Sequence, residues 1–327
     1  MTLLQVESLR VRFKTEDGYV EPLDGVSFEI ETGQVVGLVG ETGSGKSVTA
    51  QAIMGLLPFV RGEVTGGRMM FMGKDLLSLT EEEWQKYRGA KLSLISQNPM
   101  TSLDPVYRVG DQIVEGMRLH LDITKTQARQ RAVELMGSLQ IPNSERVYHQ
   151  YPHQLSGGLK QRIVIAMGLC AGPQLLIADE PTTALDVTVQ AQIVALFKEA
   201  AVERGIGLLL ITHDLGVIAQ LCDKVAVMYA GTVVEFGDAM SVFNEPKHPY
   251  TESLLLCIPK LGMQKGSLMA IPGNVPSVRT FPGGCRFHPR CSDVESACRH
   301  QNPSNIHLDD GINVACLKYS SFLRGSS

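Results

Sequence analysis

The first thirty residues alternate apolar and polar side chains in two bursts, Leu4-Gln5-Val6-Glu7-Ser8-Leu9 and Val26-Ser27-Phe28-Glu29-Ile30. A period of two predicts strands of an antiparallel sheet with one face exposed. An exposed loop from Lys14 to Tyr19 separates them. Val35 to Val39 is instead an unbroken, β-branched apolar run, which predicts a buried strand. Gly66–Phe71 and Lys91–Ser96 predict two further strands, with a polar helix over Glu81–Tyr87 between them. Gln97 ends the second, and Asn98 to Pro105 is rich in turn formers. Between about 106 and 150, apolar or small residues return every three or four positions, as from Gln127 to Leu139, so this stretch is a helical insert between core strands. Another helix opens at Leu155-Ser156-Gly157-Gly158 and runs through Ile163 to Met167. Leu175–Asp179 and Ile206–Ile211 are short apolar strands, and Val225–Tyr229 pairs with Thr232–Phe236 as a hairpin about Ala230-Gly231. Residues 246–327 lack strong periodicity and hold many Gly and Pro. Such a segment is expected to bury little surface and to need a staple.

The run Val35–Val39 leads into Gly40-Glu41-Thr42-Gly43-Ser44-Gly45-Lys46-Ser47, which fills the G-x-x-x-x-G-K-[ST] phosphate-loop pattern. Gly40, Gly43 and Gly45 let the backbone turn its N–H groups inward around a polyphosphate, where side chains would obstruct. Lys46 can reach the β- and γ-phosphates, and the Ser47 hydroxyl suits Mg²⁺. A helix starting here and running to Met54 would aim its positive end at the phosphates. Two later strands end in groups that such a loop requires. Asp179 and Glu180 close the run from Leu175, and strand alternation sends their side chains different ways. Asp179 suits Mg²⁺, and Glu180 suits a water beside the γ-phosphate. His213 follows the strand ending at Ile211 and can polarise that phosphate or orient the water. Ser156-Gly157-Gly158 offers a hydroxyl and unhindered N–H groups at a positive helix end, although an isolated tripeptide of this kind reads first as an N-cap. Phe13, beside the Lys14–Tyr19 loop, is either a purine-stacking ring or a strand residue packed in the core; Tyr19 is a weaker candidate for stacking.

Composition narrows the setting. The 327 residues, 44% hydrophobic and 20% charged with a net charge of −4, can bury a full-sized core, and the charge balance argues mildly against a nucleic-acid-binding surface. No apolar run approaches the roughly 18 residues of a membrane span. The N-terminus lacks the basic region and apolar core of a signal peptide, so the chain is expected in the cytosol, with any membrane role supplied by a partner.

Cys170, Cys222 and Cys257 lie in apolar contexts and read as small buried hydrophobes. Cys285, Cys291, Cys298 and Cys316 cluster in the tail with the spacing C-x₅-C-x₆-C-x₁₇-C. A reducing compartment disfavours disulfides. The spacing matches neither close-paired zinc knuckles nor the bacterial ferredoxin run, and it leaves zinc, iron–sulfur and no metal open.

Six motifs in order make residues 4–245 resemble an ATP-binding cassette (ABC) ATPase: Gly40–Ser47 as Walker A, Gln97 as the Q-loop, Leu155-Ser-Gly-Gly-Leu159 as the signature, Leu175–Asp179 with Glu180 as Walker B, Ala184-Leu185-Asp186 as the D-loop and His213 as the switch histidine. Leu159 departs from the glutamine common there. The resemblance implies an α/β fold with a P-loop (RecA-like) ATPase core, an antiparallel β subdomain, a helical insert over about 98–168 and a cysteine-containing extension over 246–327. It implies ATP and Mg²⁺ as cofactors, with Ser47, Gln97 and Asp179 on the metal. It also implies that Ser156, Gly157, Gly158 and Asp186 serve a second ATPase subunit docked head to tail, a homologous chain or a second copy. Asn244–Thr251, Ile271–Pro276 and Gly284–Cys291 resemble the C-terminal region of peptide and nickel importer ATPases. That implies two permeases, a solute-binding protein and the cytoplasmic face of a membrane. For the cysteines it implies a [4Fe–4S] cluster rather than zinc, with Arg286, Arg290 and Arg299 offsetting its charge. Nickel chelates and oligosaccharides are alternative cargoes. A nucleic-acid ATPase of repair or translation is a rival that would show paired cassettes or a basic surface. An iron-sensing protein is a second rival, carried only by the cysteines.

Overall fold

In the computed structural model residues 1–97, 99–183, 186–258 and 271–320 are described. Asn98, Ala184 and Leu185, to which the sequence assigned parts of two loops, lie outside them, as do residues 259–270 and 321–327 of the tail. In chain order the strands are β1 (Thr2–Thr15), β2 (Gly18–Glu31), β3 (Val35–Val39), β4 (Gly62–Phe71), β5 (Lys74–Asp75), β6 (Leu92–Ile95), β7 (Leu175–Asp179), β8 (Gly207–Ile211), β9 (Lys224–Tyr229), β10 (Thr232–Asp238), β11 (Ile306–His307) and β12 (Asn313–Val314). The helices are α1 (Lys46–Ile53), α2 (Glu81–Tyr87), α3 (Pro99–Ser102), α4 (Val109–His120), α5 (Lys125–Ser138), α6 (Ser144–Tyr148), α7 (Gly157–Leu169), α8 (Val187–Arg204), α9 (Leu215–Leu221), α10 (Ala239–Asn244) and α11 (Pro249–Leu256). They fall into two compact units.

The first unit holds Met1, Ile30–Val35 and Ser78–Ile211. Its strands are parallel, with β7 between β6 and β8, and Ala178 lies opposite both Ile95 and Leu210. All five residues of β8 are buried, as parallel strands covered on both faces must be. The helical insert starts cleanly because its caps are encoded locally. Thr124 accepts from the Gln127 N–H and the Gln127 side chain accepts from the Thr124 N–H, a reciprocal box that opens α5. Its buried Ala128, Ala132 and Met136 recur at four-residue spacing.

The second unit holds Thr2–Glu29, Val36–Leu77 and the described residues from Thr212 onward. An antiparallel sheet runs in the order β2-β1-β4-β5. Leu4 and Val6 are buried, then Leu9 and Val11, so the buried parity flips between them. A bulge does this: Ser8 takes φ 48°, and the β1–β4 register shifts between Glu7 and Arg10. The loop expected over Lys14–Tyr19 shrinks to Glu16-Asp17, because the strands persist to Thr15 and from Gly18, where Thr15 Oγ1 donates to the Gly18 carbonyl. Beside this sheet in the chain, β3 pairs in parallel with β9, β9 with β10 as a hairpin, and then β10 with β12 and β12 with β11.

Those last strands correct the expectation for the tail. Ile306, Ile312 and Val314 are buried, and Phe287 is 1% exposed against Tyr229 and Tyr250, with ring centroids at 5.1 and 5.3 Å. The tail is docked by apolar contacts that periodicity could not reveal, because they come from single residues rather than from a repeating face.

His248 lies under this cluster, 2% exposed, and its Nδ1 accepts from the Tyr250 N–H at the start of α11. Burial pushes its imidazole down to about 3 from 6.5. Below pH 6.5 the unfolded chain binds a proton that the folded chain refuses, so stability falls as pH drops through that window. At pH 5 the loss from this residue is about 2 kcal/mol. His248→Asn keeps a capping side chain without the titration. Urea denaturation at pH 7 and pH 5 should show a smaller difference for the variant than for the wild type.

Candidate functional site

The phosphate loop belongs to the second unit, and packing forces its glycines. A Cβ on Gly40, whose φ is 152°, would lie 2.1 Å from the Met228 carbonyl oxygen of β9. One on Gly45, at φ 106°, would meet Leu23 at 2.5 Å. The turn of the β9–β10 hairpin closes the back of the loop: the Gly231 N–H donates to the Ser44 carbonyl at 2.8 Å, and the Asp24 N–H to the Gly231 carbonyl at 2.9 Å. Lys46 is buried and arches over the loop, its Nζ donating to the carbonyls of Gly40 at 2.7 Å and Glu41 at 3.1 Å. Thr42, Gly43 and Ser47 face solvent. Ser44 is fully buried, and its hydroxyl has no hydrogen-bond partner among the described residues. The first turn of α1 carries no acidic side chain to cancel its positive end. Strand, glycine nest, lysine and helix N-terminus together form an anion cradle.

His213 is exposed in the turn before α9. Thr212, buried beside it, donates its N–H to the Leu38 carbonyl of β3 at 3.4 Å and accepts from the Asp214 N–H through Oγ1 at 3.0 Å. Asp214 in turn caps α9 through the N–H groups of Gly216 and Val217. Phe13 is half-buried in β1 opposite Gly62, where a Cβ would strike its ring at 2.7 Å. Tyr19 is 58% exposed, with the Arg12 guanidinium 4.7 Å above its ring.

The acidic strand end belongs to the first unit. Asp179 closes β7, and Glu180 follows with φ 50°, a left-handed conformation rare outside glycine. Its N–H donates to the Ile211 carbonyl at 2.8 Å. Glu180 Oε2 accepts from the Thr183 hydroxyl at 2.7 Å and from Gln97 Nε2 at 3.4 Å. The fold thus brings together Gln97 and Glu180, 83 residues apart, and adds Thr183, which the motif reading missed. Ser156 and Asp186 both cap helices: Ser156 Oγ accepts from the Leu159 N–H at 3.4 Å, and Asp186 Oδ1 from the Val189 N–H at 2.9 Å. Gly157 is exposed with open space at its Cβ position, whereas a Cβ on Gly158 would meet Val189 at 3.1 Å. The oxygen donors Ser47, Gln97 and Asp179 have the hard chemistry that suits Mg²⁺.

In the second unit Cys285, Cys291, Cys298 and Cys316 line one cavity of about 430 Å³ together with His248, Phe287 and His288. Burial pushes the Cys291 thiol up to about 11 and raises Cys285 and Cys316. Neighbouring thiols add to each shift, so the groups sense one another. A four-thiol set is the chemistry of soft metals and iron–sulfur centres. Among the described residues, however, no three or more His, Cys, Asp or Glu are arranged to hold a metal ion. This arrangement supports neither the [4Fe–4S] cluster nor the zinc alternative. Two of the three nearby arginines expected to offset a cluster's charge are paired with carboxylates instead. Arg286 pairs with Asp24 at 2.8 Å and Arg290 with Glu41 at 2.7 Å, while Arg299 is exposed.

Comparison with known proteins agrees with this geometry. Residues 23–183 match the family described as ABC transporter, and residues 234–298 match the oligopeptide/dipeptide transporter C-terminal region. The oligopeptide transport ATP-binding protein AppD of Bacillus subtilis (strain 168) is 46% identical over 97% of this chain and 97% of its own. The dipeptide transport ATP-binding protein DppD of Escherichia coli (strain K12) is 45% identical over 97% of this chain and 96% of its own. Among solved structures, the dimeric ATP-binding cassette MJ0796 bound to ADP and Pi matches with TM-score 0.66 and 25% identity, over 72% of this chain and 99% of its own. CbiO1 from Clostridium perfringens matches with TM-score 0.63 and 28% identity, over 75% and 91%. Among the described residues no helix is long and apolar enough to cross a membrane. The fold is that of the ABC cassette, and the chain belongs to the family of ABC transporter ATP-binding subunits that carry the oligopeptide/dipeptide transporter C-terminal region.

Proposed function

We propose that this ATP-hydrolysing subunit drives uptake of dipeptides or oligopeptides, working at the cytoplasmic face of a membrane with two permeases and a solute-binding protein. The names of AppD and DppD support the cargo. In this reading residues 1–245 form the nucleotide-binding part, with a helical subdomain over about 98–168, and 246–327 form the extension. Residues Gly40 to Gly45 cradle the polyphosphate, and Lys46 adds a cation. Ser47, Gln97 and Asp179 hold Mg²⁺, which when bound neutralises phosphate charge. The observation that carries the catalytic assignment is the left-handed turn at Glu180, which holds its carboxylate against Thr183 and Gln97. Strained backbone of this kind is retained where a side chain must be aimed. Glu180 orients the attacking water or takes its proton, His213 polarises the γ-phosphate, and Phe13 stacks its open face on the purine.

The exposed caps at Ser156 and Asp186 serve the nucleotide of a partner ATPase docked head to tail, a homologous subunit or a second copy. The dimeric state of MJ0796 supports such pairing. Closure would add donors and exclude water around the transferred phosphoryl group. In the assembled complex, Glu180→Gln should keep ATP binding and lower turnover by at least ~10²-fold, because shape survives and basicity does not. Turnover near that of the wild type would remove Glu180 from this role.

For the tail, we propose a structural [4Fe–4S] cluster; the four thiols that line one cavity support this reading. A cluster brings its own iron–sulfide core between its cysteines, and its role there would be cross-linking. Anaerobically purified protein should carry iron and sulfide. Cys291→Ser should lose them while nucleotide binding survives. Equal iron in the variant and the wild type would refute the assignment of Cys291 as a ligand.

A further inference from the structure

Glu41 is gripped at three points. Its carboxylate receives a two-pronged fork from Arg290, with Nη1 to Oε2 at 2.7 Å and Nη2 to Oε1 at 3.0 Å. Its N–H donates to the Tyr250 hydroxyl at 2.9 Å, and its carbonyl accepts from Lys46 Nζ at 3.1 Å. Two of these partners come from beyond residue 245. The Arg290 side chain is 4% exposed, its Nε donates to the Pro272 carbonyl at 2.8 Å, and its guanidinium lies 5.7 Å from the Tyr229 ring. Burial opposes its charge, yet the Glu41 carboxylate and the Tyr229 hydroxyl hold it firmly protonated. Its backbone is fixed as well, because the 3₁₀ turn His288–Arg290 follows directly on the buried Phe287.

An acid inside a phosphate loop is an electrostatic fault, since it repels the polyphosphate that the loop exists to bind. A bidentate guanidinium cancels that charge and fixes the carboxylate in one orientation. The loop also contains three glycines at positive φ, of 152°, 86° and 106°, which are entropically expensive to order. Ordering them before the ligand arrives removes that cost from binding.

We propose that Arg290 and Tyr250 are positioning residues for nucleotide binding: they act through Glu41, neutralising it and holding the phosphate loop ready. The inference rests on the assignment of Gly40–Ser47 to the polyphosphate. Neither residue touches the reacting atoms, so their effect falls on affinity rather than on the chemical step. The tail thereby contributes to the nucleotide site through Glu41.

The test measures binding of a fluorescent ATP analogue to the full chain and ATP turnover in the assembled complex. Arg290→Ala should weaken affinity about 5- to 10-fold and raise KM alike, with kcat within about two-fold. Arg290→Lys, which keeps the charge but not the fork, should fall between. Adding Glu41→Gln to Arg290→Ala should recover most of the lost affinity, a rescue that a purely structural loss would not permit. If Arg290→Ala does not fold, Arg290→Lys and Tyr250→Phe carry the same test, each expected to weaken affinity without changing kcat. Wild-type affinity in these variants, or no rescue by Glu41→Gln, overturns the proposal. Lys46→Ala separates the two levels. If it binds the analogue normally, the phosphate-loop assignment itself fails; if it loses binding while the Arg290 and Tyr250 variants keep it, only the positioning role fails.

Discussion

The closeness of two backbones governs the second unit. The phosphate loop leaves β3 so near β9 that no side chain fits at Gly40, where the Met228 carbonyl oxygen would be 2.1 Å away. At Gly37, three residues earlier, a Cβ would press on Ile218 of α9 at 2.6 Å. These contacts require β3 to be fully buried and paired with β9 in register, which its Val-Val-Gly-Leu-Val sequence allows. The loop then has little freedom left. Hydrogen bonds from Gly231 and Lys46 take up the Ser44 and Gly40 carbonyls, which would otherwise be solvated.

The acidic strand end of the first unit uses backbone strain where the phosphate loop of the second uses glycine. A non-glycine residue in the left-handed region costs on the order of 1–2 kcal/mol. At Glu180 that cost is offset locally by the hydrogen bond to the Ile211 carbonyl and by the charge-assisted bond from Thr183, each worth about as much. A glycine at 180 would relax the backbone but remove the carboxylate. The conformation is therefore kept for the side chain and not for the turn.

The elements were legible in the sequence wherever a period of two or of four ran for several residues, as in β1, β2 and α5, or where an apolar run was unbroken, as in β7. The site residues were legible because the chemistry of each motif lies within a few consecutive positions, as in Gly40–Ser47. What escaped was long in sequence and singular in kind. The Ser8 bulge leaves only a flipped parity, Leu4 and Val6 against Leu9 and Val11, which also reads as two short strands. Arg290 looked like a counter-charge to Cys291 because the two are adjacent, and nothing in the chain announces a partner 249 residues away. Thr183 lies three residues after Glu180, but only the unusual φ of Glu180 turns the carboxylate onto it. The buried strands of the tail, two residues each, are too short to leave any period.

Magnitudes decide what holds that tail. The Arg286–Asp24 pair is partly open to solvent, with Asp24 37% exposed, and pairs of that kind contribute at most about 1 kcal/mol. Truncating a buried phenylalanine costs about 3–5 kcal/mol. Phe287 also makes ring contacts with both Tyr229 and Tyr250, each worth about 0.5–1.5 kcal/mol beyond its area. Apolar burial therefore anchors the segment, and the arginines select its orientation. A cross-link through the cysteines acts on a segment already attached by Phe287, Ile306 and Val314, so its loss would reshape the cavity before it released the tail. Because Phe287 immediately precedes the turn that carries Arg290, the residue that anchors the tail also determines where the fork meets Glu41. Attachment and alignment are then one packing problem, solved at a single buried ring.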